Sequence, residues 1–174
     1  MKTTVILGCL LMAFMGFWSC DDSDTPDILV SESTLKTGTI EAEGSMKKVA
    51  DLVVSDNGLI TRQVSYEGQG ACELMGTFSI ETHHTEIYDE DTGNTCVENG
   101  TFTIVTENGD VLFGLYSGAG CAVAHGMQLE SQYQIMGGTG EFCQASGDMT
   151  CCVNCWEMFN NFNLLGYIQC ESLE

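Results

Sequence analysis

Short apolar runs with a period of two residues constrain the fold of this chain most strongly. Residues 101–118 (TFTIVTENGDVLFGLYSG) contain two such runs on either side of Asn108 and Gly109. Alternate residues of a strand share one face, so Phe102 and Ile104 would point the same way. Asn-Gly is the residue pair that most readily takes the positive φ angles of a tight turn. The segment therefore predicts a β-hairpin.

Comparable runs recur along the chain, and no window of a dozen residues has a sustained 3.6-residue period. The further runs lie at residues 74–82, 127–136, 148–153 and 164–170, with weaker ones at 39–43, 48–54 and 59–66. The count reaches about eight strands, which is the number at which a closed barrel just encloses side chains or one small ligand. A chain of 174 residues fits one domain. We predict an all-β fold, a single antiparallel eight-stranded β-barrel.

The N-terminal segment has the pattern of a secretory leader. Lys2 precedes an apolar run over residues 5–18, which is shorter than the roughly 20 residues that span a bilayer. After Cys20 the chain becomes polar and acidic (DDSDTPD) and contains its single proline. We predict a signal peptide at residues 1–20, an acidic tether at 21–35 and the barrel domain at 36–174.

The end of the leader resembles the lipobox of bacterial lipoproteins, in which a small residue precedes a cysteine that is acylated. Here Ser19 precedes Cys20, and an acidic run similar to a surface-export signal follows. The alternative is ordinary secretory cleavage near Ser19, which leaves Cys20 as a thiol. Two or three acyl chains on Cys20 would hold the protein at a membrane. The resemblance implies an extracytoplasmic lipoprotein of the outer membrane or cell surface, and the alternative implies a secreted protein.

The charge of the chain excludes some partners. It has 25 acidic and 5 basic residues and a net charge of −20. Such a surface repels nucleic acid and anionic lipid headgroups, so we expect no nucleic-acid partner and membrane contact through the lipid anchor only. Residues 89–95 (DEDTGNT) superficially resemble a calcium loop but lack the acid that an EF-hand has at its twelfth position. We predict a solvated hairpin tip there.

Cysteine content supports export. Of ten cysteines, Cys9 lies in the leader and Cys20 at its boundary. An even number remains, which in an exported domain predicts up to four disulfides of undetermined pairing. These cysteines are Cys72, Cys96, Cys121, Cys143, Cys151, Cys152, Cys155 and Cys170. The alternative is a metal site at Cys151, Cys152 and Cys155, but it lacks a second ligand pair nearby, so we expect no metal.

A glycine-rich stretch at residues 135–148 (IMGGTGEFCQASGD) permits two interpretations, a phosphate-binding loop or a corner between strands. A Walker loop needs Lys followed by Ser or Thr after its glycines, and a dinucleotide fingerprint needs G-x-G-x-x-G between a strand and a helix. Neither is present, and Glu141 would oppose a phosphate. The glycines therefore predict a strand corner.

Three segments together resemble the barrel domains related to plant allene oxide cyclases and dirigent proteins. They are residues 108–118 (NGDVLFGLYSG), 133–150 (YQIMGGTGEFCQASGDMT) and 164–169 (LLGYIQ). The resemblance implies a calycin-like barrel of about eight antiparallel strands around an apolar cavity that takes a small apolar ligand. It also implies a homo-oligomer, a trimer in the plant enzymes, and isomerase or cyclase chemistry. The acidic or water-holding residues of that family do not map onto specific positions here, so no catalytic residue is assigned.

A few side chains are candidates for ligand binding. His83 and His84 are adjacent, so in a strand only one of them would enter the barrel. An inward histidine beside a carboxylate could act as a general base or hold a metal, and the simpler interpretation is a pair of surface or structural histidines near a hairpin end. Tyr116 and Tyr133 would line a cavity as hydrogen-bonding aromatics, or serve as ordinary strand residues. No nucleophile-elbow motif is present, and we expect no cofactor.

Three functions are compatible with these features. The first is an exported, lipid-anchored and disulfide-braced barrel that binds a small apolar ligand without turnover. The second is an isomerase or cyclase, and the third is a surface module that binds another protein. Because one fold supports many functions, the architecture alone does not choose among them.

Overall fold

The computed structural model describes residues 34–56, 59–124, 126–156 and 159–172, and they form an all-β domain. The predicted signal peptide, Cys20 and residues 21–33 of the predicted tether lie outside the described residues. The strands are β1 (Thr34–Asp56), β2 (Leu59–Cys72), β3 (Gly76–Asp89), β4 (Asn94–Thr106), β5 (Val111–Val123), β6 (Gly126–Gly138), β7 (Ser146–Trp156) and β8 (Phe159–Ser172).

The eight strands close into one antiparallel barrel, which confirms the predicted fold class. Each strand pairs with the next along the chain, and β8 returns to pair with β1. The predicted runs at residues 39–43 and 48–54 belong to the single long strand β1. Because β1 begins at Thr34, the last two residues of the segment predicted as a tether belong to the barrel.

The period-two pattern produces the barrel wall directly. Along β3 the buried side chains alternate with outward ones. The inward set on this strand is Phe78, Ile80, Thr82, His84 and Glu86. Large inward rings face glycines on neighbouring strands, because an added Cβ at Gly114 would lie 2.7 Å from the Phe102 ring and one at Gly70 would lie 2.6 Å from the Phe78 ring. This pairing of small with large residues fills a narrow barrel.

The two ends of the barrel differ. At one end the β2–β3 and β6–β7 connections fold inward, and Met75, Phe142 and Ala145 are buried there. We call this the closed end. At the other end lie the β1–β2, β3–β4, β5–β6 and β7–β8 connections, and polar side chains line the interior. We call this end the mouth.

The glycine-rich stretch is a strand corner, as predicted. It connects β6 to β7 through one 3-10 turn, Gly140–Phe142. Gly140 has a φ of +59°, and a Cβ at this position would overlap the Asp110 carboxylate, so glycine is required there. The Phe142 side chain inserts into the closed end.

The hairpin over residues 101–118 is also confirmed, with one difference in its turn. Gly109 has a φ of +86°, whereas Asn108 is not among the described residues with positive φ. The Gly109 N–H donates to the Thr106 carbonyl at 3.0 Å, and the Thr106 N–H donates to the Asp110 carbonyl at 2.9 Å. The connection is therefore one residue longer than a two-residue turn. A loop of this longer type needs a positive φ at only one position.

The eight cysteines of the barrel domain are free thiols in the structure. In the strand register none of the seven cysteines on strands lies directly opposite another; Cys96, for example, pairs with Ala119 and Cys155 with Met127. Cys151 and Cys155 both point inward from β7 but are four residues apart, about 13 Å, which is too far for a disulfide. No disulfide joins the described residues, and disulfide bracing of the domain stays a prediction from the cysteine count.

Candidate functional site at the barrel mouth

Five inward polar side chains from neighbouring strands meet near the mouth. They occupy alternate, inward positions of β2, β3, β5 and β6, where apolar residues would continue the core. These side chains are Tyr66, His84, Glu86, Tyr116 and Tyr133, all of them buried. Burial of polar groups is costly unless they are hydrogen-bonded, so their partners determine what the site can do.

Four of these side chains form one hydrogen-bonded chain. The Tyr66 hydroxyl donates to Glu86 Oε1 at 3.2 Å, and His84 Nε2 lies 3.3 Å from the same oxygen. His84 Nδ1 lies 2.5 Å from the Tyr116 hydroxyl. A neutral imidazole with its proton on Nε2 satisfies both contacts, donating to Glu86 and accepting from Tyr116. The chain thus runs from Tyr116 through His84 to the carboxylate.

The rings of these side chains also pack against one another. Tyr116 and Tyr133 are stacked with centroids 4.4 Å apart, and Tyr133 contacts the Phe102 ring at 5.0 Å. His84 stacks on Tyr66 at 5.7 Å. The polar chain is therefore anchored to the aromatic core and is held in one arrangement.

The surroundings set the protonation states of the site. Burial raises the pKa of the Glu86 carboxyl, but the hydrogen bond from His84, the charge of Lys48 and the hydrogen bond from Tyr66 together outweigh it and lower this pKa below its ordinary value. Burial raises the pKa of each of the three interior tyrosines, Tyr66, Tyr116 and Tyr133. At neutral pH the site consists of an ionised carboxylate and neutral phenols.

The structure brings together three of the four side chains singled out from the sequence. His84, Tyr116 and Tyr133 lie inside the barrel. His83 points outward, and its Nδ1 lies 2.7 Å from the Ser65 hydroxyl oxygen. Glu86 belongs to the site without having been singled out from the sequence. Its inward position follows from the same alternation, since it lies two residues after His84.

A cavity of about 620 Å³ opens at the mouth above this chain. It is lined by Lys48, Arg62, Tyr66, Glu86, Tyr88, Thr95, Gly126, Met127, Cys155 and Asn160. Beneath it a chamber of about 20 Å³, room for about one water molecule, shares Tyr66, Met127, Cys155 and Asn160 as walls. Since side chains fill the deeper interior, the part of the barrel interior formed by the described residues admits a molecule larger than water at the mouth.

Two cations border the mouth cavity in a chain that has few of them. Lys48 Nζ lies 3.0 Å from Asp51 Oδ2 and 5.7 Å from the centre of the Tyr66 ring. Arg62 Nη1 lies 3.7 Å from the same Asp51 oxygen. The Asp51 carboxylate is therefore shared by two cations. Lys48, Arg62 and Asp51 together carry a net positive charge.

Two interior thiols lie next to the polar chain. Cys151 is hydrogen-bonded to Tyr133, and burial raises its pKa to about 12. Cys155 lines the mouth cavity, and burial raises its pKa to about 11. Both are protonated at neutral pH and are therefore weak nucleophiles.

The described residues contain no cluster of three or more His, Cys, Asp or Glu side chains that could hold a metal ion. Cys151 points into the barrel and the adjacent Cys152 points to the other face of β7, so these two do not converge on one ion. At the β3–β4 turn, Asp89 accepts hydrogen bonds from the Asp91 N–H and the Thr92 hydroxyl, at 2.9 and 2.8 Å. That carboxylate stabilises the turn, as expected for a hairpin tip.

A wider groove of about 760 Å³ lies on the outer wall of β4 to β7. Outward side chains there include Asn99, Gln132, Gln134 and Asp148. Its lining includes Tyr116 and Tyr133 of the interior site but neither Glu86 nor His84. Glu86 is therefore accessible from the mouth and not from this groove.

Comparisons with known proteins give this chain no relative. Neither the family models, nor the curated sequences, nor the solved structures contain a match. The resemblance to allene oxide cyclases and dirigent proteins therefore stays a prediction beyond the shared eight-stranded architecture. Within the described ranges, none of the chain forms a helix that is long and apolar enough to cross a membrane.

Proposed function

We propose that this protein is an exported, lipid-anchored β-barrel that binds a small, partly apolar molecule at its mouth without turning it over. The observation that carries the proposal is the mouth cavity of about 620 Å³, with buried Glu86 and Tyr66 at its floor. Ligand sites combine apolar walls with a few placed polar groups, and the mouths of barrels commonly hold such sites. Tyr88 and Met127 supply apolar wall area.

Binding at the mouth is testable with the fluorescent probe 8-anilinonaphthalene-1-sulfonate, whose emission rises in apolar sites. Met127→Trp places a large ring in the cavity, whereas Met136→Trp on the same strand points outward, where the native side chain is 55 % exposed. We expect Met127→Trp to lower probe affinity at least tenfold and Met136→Trp to leave it unchanged. Equal affinity in both variants would place the bound probe elsewhere.

Export and anchoring rest on the sequence of residues 1–20 and on Cys20. A lipidated Cys20 predicts that the protein fractionates with membranes. We expect Cys20→Ala to release it into the medium or the periplasm, with Cys96→Ala as a control that keeps the wild-type distribution. Unchanged membrane association of Cys20→Ala would contradict the anchor.

A second candidate function, an isomerase, is favoured by the hydrogen-bonded chain at the cavity floor. Glu86 is an ionised carboxylate that can accept a proton from a carbon of a bound molecule and return a proton to it, and the neutral Tyr66 hydroxyl beside it can donate a hydrogen bond. Deuterium exchange at the α-carbon of small aryl ketones in D₂O, followed by NMR, tests this. Exchange that is fast in wild-type protein and lost in Glu86→Gln supports the isomerase, and equal rates in both contradict it.

A further inference from the structure

Arg62 and Glu86 are opposite charges that face each other but do not pair. They are direct partners in the β2–β3 register, and both line the mouth cavity. The ion pair that the structure gives Arg62 is with Asp51, at 3.7 Å, and among the described residues none joins it to Glu86.

Arg62 has a donor without an acceptor. Its Nε is buried and has no hydrogen-bond partner within the described part of the chain, where it is the one side-chain nitrogen or oxygen in that state. A buried donor left unsatisfied is unfavourable. The same side chain lines the mouth cavity, where the other N–H groups of its guanidinium can donate to a bound molecule. Lys48 adds a second positive group beside it.

Glu86 has an acceptor oxygen to which none of the described residues donates a hydrogen bond. The hydrogen bonds from Tyr66 and His84 both end on Oε1. A carboxylate accepts through two oxygens, so Oε2 stays available to a donor on the cavity side. The cavity thus offers cationic donors and an anionic acceptor on neighbouring strands, and Tyr88 and Met127 add apolar surface to its wall.

We propose that the molecule bound at the mouth is a free α-amino acid with an apolar side chain. Its carboxylate contacts Arg62 and Lys48, its ammonium group contacts Glu86, and its side chain packs against Tyr88 and Met127. This inference rests on the proposed function, since it names the ligand class of the same cavity. A purely apolar molecule would add no partner to the Arg62 guanidinium or to Glu86 Oε2, and an apolar acid would add none to Glu86 Oε2.

Four probes separate the contributions of the ligand groups by isothermal titration calorimetry on the purified protein. They are L-phenylalanine, 3-phenylpropanoate, which lacks the ammonium group, L-phenylalaninamide, which lacks the carboxylate, and L-alanine, which lacks the ring. Hydrogen bonds to charged groups are strong enough that losing one lowers affinity roughly 10- to 100-fold. We expect L-phenylalanine to bind at least tenfold more tightly than each of the other three.

Variants assign each ligand group to its partner. Glu86→Gln should reduce the affinity for L-phenylalanine at least tenfold and leave that for 3-phenylpropanoate unchanged, whereas Arg62→Met should weaken both. Lys47→Met and Glu81→Gln change exposed side chains of the same charge on the outer face and should alter neither affinity. Because the probe series is measured on the wild-type protein, it decides the question even if a variant fails to fold.

Distinct outcomes overturn the inference and the proposed function separately. If 3-phenylpropanoate or L-phenylalaninamide binds as tightly as L-phenylalanine, the ligand needs one charge only and the amino-acid assignment is wrong. If none of the four probes binds but Met127→Trp still abolishes anilinonaphthalenesulfonate binding, the assignment fails and the mouth remains a binding site. If the affinity for anilinonaphthalenesulfonate is also unchanged in Met127→Trp, the proposed function fails as well.

Discussion

Removal of the Tyr116 hydroxyl tests whether the interior polar chain stabilises the barrel. In Tyr116→Phe the ring keeps its stacking on Tyr133, so packing changes little. The hydrogen bond to His84 Nδ1 is lost, and so is the one from the buried Thr82 hydroxyl. Leaving one buried polar group unsatisfied costs about 1–3 kcal/mol, and a second lost bond adds about 1 kcal/mol. We expect a loss of about 2–4 kcal/mol in the free energy of unfolding.

Urea denaturation of both proteins at neutral pH measures this loss, with Tyr167→Phe as the matched control. Tyr167 is 49 % exposed, and its hydroxyl lies 3.4 Å from an Asp148 oxygen. Water replaces such a bond, so the control should change stability by less than about 0.5 kcal/mol. If Tyr116→Phe costs no more than the control, the hydroxyl is not part of a satisfied interior chain, and the description of the site is wrong.

Three further predictions follow from burial inside the barrel. The raised pKa values of the interior tyrosines predict that the stability of the barrel falls as pH rises above about 10, because the unfolded chain releases phenol protons that the folded barrel retains. Urea unfolding midpoints measured from pH 8 to 11 check this prediction. A midpoint that does not change over this range would contradict it. In thiol alkylation, exposed Cys96 and Cys121 should react in the folded protein and Cys151 only after unfolding, so early modification of Cys151 would contradict its burial. Gly114→Ala should lower the thermal midpoint markedly because its Cβ would meet the Phe102 ring, and an unchanged midpoint would show that this packing is looser than described.

The strand architecture was predictable because its cause is local. Alternation along residues 101–106 and the positive φ of Gly109 are properties of a few consecutive residues, and so is the corner around Gly140. The strand count was predictable for the same reason. The division of residues 39–54 into two runs was wrong because β1 continues through Gly44, a glycine opposite the Phe162 ring, where the apolar alternation of the sequence has a gap.

The contents of the site were only partly predictable because they depend on register between distant strands. Alternation alone requires that His83 and His84 face opposite sides, but it does not say which side is inside. The direct pairing of Arg62 with Glu86 comes from the β2–β3 register, with no local signature in the sequence. The cysteines show the same limit, since their even number predicted disulfides whereas the register places no two strand cysteines opposite each other.

The packing of the barrel explains why its chemistry is confined to one end. Rings such as Phe102 and Phe78 fill the interior opposite glycines, and Phe142 closes the far end, so no passage for a ligand remains there. At the mouth the inward positions change from aliphatic to ionisable at Glu86 and Arg62. Charged inward residues cost stability in a barrel this narrow unless water or a ligand reaches them. Beside a cavity, water or a bound polar molecule can reach these side chains, and the ligand site is proposed at this end of the barrel for that reason.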